Sequence, residues 1–122
     1  MSGVLVTVLG SLVVTAGTAS ATSCGVNGGV LWCNNAPAAL RDKPSIDEPQ
    51  SSIVNYLRST YSWFTCWSEG QINSGGTYTW YLTEGDDNSN YGWISSNYLY
   101  TTYDFDLNPS AYGLPKCQYN FG

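Results

Sequence analysis

Trp80-Tyr81-Leu82-Thr83 and Gly92-Trp93-Ile94-Ser95-Ser96-Asn97-Tyr98-Leu99, the second stretch beginning nine residues after Thr83, decide the fold of this 122-residue chain. The first reads as a strand, Glu84 to Asn90 as an acidic polar turn, and the second as a strand running into one tight helical turn. From Thr77 to Thr83, strand alternation sets Tyr78, Trp80 and Leu82 on one face and Thr79, Tyr81 and Thr83 on the other. Upstream, Val30-Leu31-Trp32, Ala38-Ala39-Leu40-Arg41 and the Ile53 to Leu57 run are further short strands. Trp63-Phe64-Thr65-Cys66-Trp67 favours β structure and burial of at least one face. Asp42 to Ser52, broken by Pro44 and Pro49, reads as a long exposed loop, and Asn73-Ser74-Gly75-Gly76 as a turn. No segment has helical periodicity. Close spacing of short strands predicts a small all-β barrel of about five to seven strands.

The two ends differ from this middle. Residues 1–21 carry no charge, are rich in Val, Leu, Gly and Thr, and close on Ala19-Ser20-Ala21, a small-x-small cleavage site. They read as a signal peptide, with Val4 to Ala16 too short to span a bilayer. The first basic residue is Arg41 rather than one at the start, which points to a true start upstream of Met1. Four cysteines follow, Cys24, Cys33, Cys66 and Cys117. An even number in a small exported chain predicts two disulfides, with three pairings open. Cys24–Cys33 and Cys66–Cys117 are favoured: one closes a short Gly-rich loop, the other ties a central strand to the tail. Zinc is disfavoured by the wide gaps and by the absence of histidine. The expected organisation is an N-terminal extension with a short disulfide loop over 22–37, the barrel over 38–101, and a tied-back segment over 102–122.

Net charge is −5, with Arg41, Lys43, Arg58 and Lys116 the only cations. Nucleic acid and anionic lipid need a dense basic surface, so both are excluded as partners. Without histidine, Ser-His-Asp and Cys-His catalysis are excluded too. Asp86 and Asp87, adjacent in a turn, do not present the separated carboxylates that glycoside cleavage requires. Asp104, Asp106 and Asn108 offer oxygen ligands of the kind calcium takes, but lack the glycine and terminal Glu of a calcium loop. The chain is expected to be no enzyme and to carry no metal or cofactor.

From Ala38 to Thr101 the chain resembles a bacterial SH3-like (SH3b) domain. Leu40-Arg41 with Lys43-Pro44-Ser45 is similar to the family's opening, Ile53-Val54 to its second strand, and Trp80 to its single Trp. Gly92 to Leu99 is similar to its closing strand and 3₁₀ turn. The resemblance implies an SH3-like barrel that binds cell-wall peptides, with Trp80 and Tyr98 lining the ligand groove. Ala39-Leu40-Arg41-Asp42-Lys43 replaces the tyrosine-bearing opening of relatives that bind proline-rich helices, and Ser95 replaces the groove proline. Polyproline recognition, which depends on stacked aromatics, is therefore not expected.

Five Trp, ten Tyr and three Phe exceed what so small a domain can bury, so some rings must be exposed, and clustered exposed rings mark binding sites. Trp80 and Tyr98 are the expected ligand-binding pair, extended by Tyr81, Tyr91, Tyr100 and Arg41. Phe64 and Trp93 are expected in the core, and Asp47-Glu48 as a solvated loop pair. The expected function is that of a secreted module recognising a peptide or glycopeptide, most plausibly of the bacterial cell wall. The alternative is a structural or adaptor subunit of an extracellular protein complex, docking through the tail after Tyr98.

Overall fold

A computed structural model describes residues 24–47 and 51–118. The expected signal segment 1–21, Glu48 and Pro49, and residues 119–122 lie outside the described residues. The strands are β1 (Gly25–Asn27), β2 (Val30–Asn34), β3 (Ala38–Arg41), β4 (Ile53–Leu57), β5 (Tyr61–Phe64), β6 (Cys66–Glu69), β7 (Thr79–Glu84) and β8 (Tyr91–Ser95). A 3₁₀ turn over Ser96–Tyr98, helix α1 (Tyr103–Leu107) and a second 3₁₀ turn over Pro109–Tyr112 follow.

The strands form two antiparallel sheets, one ordered β1-β2-β5 and the other β4-β3-β8-β7-β6. The mainly β architecture is as expected. Eight strands stand among the described residues, however, and neither order returns to its first strand, so the sheets are open and not a closed barrel. The reason lies in residues 24–37. They make a hairpin of their own through Gly28 and Gly29, both at positive φ, and this hairpin recruits β5. The run Trp63 to Trp67, expected as one stretch, is thereby split. β5 joins the small sheet, β6 joins the large one, and Thr65 between them donates its N–H to the Leu82 carbonyl at 3.0 Å.

Both favoured disulfides are formed. Cys24–Cys33 clips β1 to β2, while Cys66–Cys117 fastens the chain end beside β6, where Cys117 N also donates to Trp67 O at 2.8 Å. Leu31 and Phe64 of the small sheet meet Leu40, Tyr81 and Ile94 of the large one in a single core closed by Leu114. Each such side chain contributes about 1.5–3 kcal/mol by leaving water. Trp93 is buried as expected.

Helix α1 corrects the expectation that no helix is present. Five residues are too short to show a 3.6-residue period. The local signal is instead a cap: Thr102 Oγ1 accepts from Phe105 N at 3.1 Å, and Asp104 and Asp106 fill the first turn, where the helix dipole favours negative charge. Among the described residues no helix is long and apolar enough to cross a membrane.

Candidate functional site

A groove of about 250 Å³ opens at the end of the large sheet. Its floor is Trp80 with Ser95, one wall is Ile46 with the 71–74 loop, and the other is Asn97 and Tyr98. Trp80 and Tyr98, chosen from sequence as a pair, are therefore brought to one place. Their exposures differ sharply: Trp80 is 3% exposed and Tyr98 42%. Trp80 forms a floor held from beneath, whereas Tyr98 presents its ring to solvent.

Local chemistry builds the walls. After Trp80 enters the strand, its indole Nε1 donates to the Gln71 carbonyl at 2.9 Å, pulling the 71–74 loop over the ring. Gln71 then joins the Pro44–Asp47 segment to the same wall. Its amide N–H donates to Pro44 O at 2.9 Å, its Oε1 accepts from Ile46 N at 2.8 Å, and its Nε2 donates to Asp47 Oδ2 at 3.0 Å. Gly70 permits this approach, because a Cβ there would lie 2.2 Å from Pro44 O. The segment after Arg41 is thus docked through a buried Pro44 rather than extended into solvent along its whole length.

Asn73 completes the loop as an Asx turn, its Oδ1 accepting from Gly75 N at 2.9 Å and its Nδ2 donating to Ser96 Oγ at 2.9 Å. Ser95 caps the 3₁₀ turn through Asn97 N, and Asn97 Nδ2 reaches Ser74 Oγ at 3.1 Å. The Tyr98 carbonyl accepts from Ala36 N at 2.7 Å, which fixes the backbone and leaves the phenol ring outward. The lining is apolar and amide-rich, with the exposed Asp47 at its edge.

The other proposed ligand residues do not line the groove. Tyr81 does not extend the surface: it is fully buried on the opposite face of β7. Its hydroxyl donates to Asp106 Oδ1 at 2.6 Å. Tyr91 opens β8 at the far end from the 3₁₀ turn, and its ring meets Trp63 edge-on at 6.0 Å. Arg41 pairs with Trp93 across β3 and β8, and its Nη1 donates to the Ser51 carbonyl at 3.3 Å. Sequence reasoning missed Ile46, Ile72 and Gln71. The signal for the first two is an isolated isoleucine in a polar loop; Gln71 carries none, since its role depends on two loops meeting.

Asp106, buried by α1, accepts from both Tyr81 and Thr101, and burial raises its carboxyl above the ordinary range against the lowering effect of those two donors. Pointing inward, it does not share a site with the exposed Asp104. Asp86 is held below the ordinary range, chiefly by the Ser59 hydroxyl, and Asp87 by its two hydrogen bonds from Arg58. The turn is solvent-exposed, as expected, and is also anchored to the β4–β5 connection by these bonds. Among the described residues no group of three or more potential metal ligands clusters. Comparison with protein-family models, curated proteins and solved structures found no match to this chain.

Proposed function

We propose that this protein is a secreted, non-catalytic binding module of SH3b type that recognises a peptide or glycopeptide of the bacterial cell wall. The observation that carries the reading is the groove joining Trp80 and Tyr98, the two residues that the family resemblance assigns to its ligand site. Its shape suits an extended chain laid over an apolar floor, with amide groups at the walls to orient it. Asp47 at the edge favours ligands with a free amine. Two disulfides support an oxidising, extracellular setting.

Co-sedimentation with isolated Gram-positive peptidoglycan tests the proposal, with Tyr98→Ala in parallel. The wild type is expected in the pellet and the variant largely in the supernatant, with unchanged melting temperatures because the Tyr98 ring is exposed. Wild-type protein left soluble would overturn the wall-binding reading. That result would favour an adaptor role, for which the exposed Tyr100, Tyr103 and Tyr112 of the C-terminal segment supply a docking edge.

A further inference from the structure

We infer that the outer face of the small sheet is a second binding surface, one that takes a neutral polysaccharide by stacking sugar rings on aromatic side chains. Its residues do not line the groove, and it is independent of the function proposed for that groove. In β2 and β5 the inward positions are Leu31, Cys33, Ser62 and Phe64, which are buried. Alternation turns Trp32, Tyr61 and Trp63 to the other side. Trp32 lies directly opposite Trp63 in the register, and its ring runs nearly parallel to that of Tyr61, 24° apart with centroids at 6.3 Å. Trp63 continues to Tyr91, the pair meeting at 6.0 Å. The row Tyr61, Trp32, Trp63, Tyr91 crosses from the small sheet to the end of β8, the central strand of the large one.

Three of these rings stand in solvent, Trp32 at 40% exposure, Tyr91 at 48% and Tyr61 at 51%. Trp32 and Tyr61 stack on one another across the strands and still leave ring surface to solvent. Rigid aromatic rings provide large amphipathic contact area with little loss of rotamer freedom, so a row of them is a contact surface. The Cys24–Cys33 disulfide beside Trp32 stiffens the platform.

Charge and size select the occupant. β1, β2 and β5 contain no charged residue. Arg58, ahead of β5, is already paired with Asp87, and Glu84 stands opposite Tyr91 at the end of the row. With a net charge of −5, an anionic polymer is repelled, and a charged peptide finds no partner along the rings. Three strands about 4.8 Å apart and at most five residues long make a face about 10 Å by 17 Å. That falls well short of the roughly 800 Å² per partner that a stable protein dimer buries. A narrow, uncharged chain with flat C–H faces and hydroxyl edges fits: pyranose rings stack on the aromatics, and Asn27 and Asn34 flank them with amides.

Pull-down on insoluble cellulose, chitin and a β-1,3-glucan, with polygalacturonate as the anionic control, tests this. The wild type is expected to bind at least one neutral polymer, in a manner insensitive to salt, and not polygalacturonate. Trp32→Leu is expected to weaken binding about tenfold or more while Trp32→Tyr retains most of it, since stacking needs a ring and not mere apolarity. Tyr98→Ala, outside this surface, is expected to bind the polysaccharide normally, which separates this inference from the groove. Melting temperatures of all three variants confirm folding. Binding to none of the three polymers, equal binding by Trp32→Leu, or a concentration-dependent dimer that Trp32→Leu abolishes would each overturn it.

Discussion

The Tyr81 hydroxyl donates a 2.6 Å hydrogen bond to Asp106, joining the middle of β7 to helix α1 inside the protein. Thr101 donates to the same carboxylate oxygen, and Thr79 donates to the Asp106 carbonyl. One acidic residue therefore fastens the C-terminal segment to the large sheet. Replacing Tyr81 by Phe leaves a buried acceptor short of a donor and is expected to cost about 1–2 kcal/mol in urea unfolding. An unchanged midpoint would show that the latch carries no stability.

The titration of Asp106 has a definite sign. Burial raises its carboxyl in the folded state, so the group favours folding at pH below its unfolded value and opposes it as pH rises through the raised one. Asp86 and Asp87 are lowered, so their contribution is present above the unfolded carboxylate value and lost as pH falls. Asp106→Asn can still accept both hydroxyl donors. Its stability relative to wild type is expected to improve from acidic to neutral pH, read by denaturant curves at several pH values. A pH-independent difference would contradict the assignment.

Asp86 and Asp87 should also separate from one another. Asp86 accepts from Arg58 N, Ser59 N and Ser59 Oγ at 2.6–2.8 Å, tying the β4–β5 connection to the β7–β8 turn. Asp87 makes a solvent-exposed pair with Arg58. Asp86→Ala is expected to lower the melting temperature by several degrees, and Asp87→Ala by much less. The reverse order would mean that the exposed ion pair dominates.

Within the groove, floor and wall residues should fail differently. Trp80→Ala empties a buried site and is expected to cost about 3–5 kcal/mol, so loss of binding by that variant reports folding. Trp80→Phe removes the bond to Gln71 and leaves a smaller void than Ala, and should loosen the 71–74 loop at less cost to stability, measurable as faster amide exchange there. Gly70→Ala collides with Pro44 and is expected to displace the Ile46 wall.

The two disulfides close loops of unequal length. In the chain-entropy account Cys66–Cys117, separated by 51 residues, contributes about 4 kcal/mol. Cys24–Cys33, separated by 9, contributes somewhat under 3 kcal/mol by the same account. Paired Cys→Ser variants compared by thermal melting should follow that order.

The family resemblance paired Trp80 with Tyr98, while sequence by itself determined the β character and the position of most strands and favoured the disulfide pairing that formed. These depend on alternation, turn chemistry and short-range order, which are written locally. It misassigned Tyr81, because alternation says which residues share a face and not which face meets the core. α1 went unread because its five residues are stabilised by a cap and by Asp106 contacts across the core. Only tertiary structure decided the split at Thr65, the joining of two loops by Gln71, and the aromatic row across β2, β5 and β8. Each depends on segments well separated in sequence coming together, and such pairings are selected by the packing of the whole core.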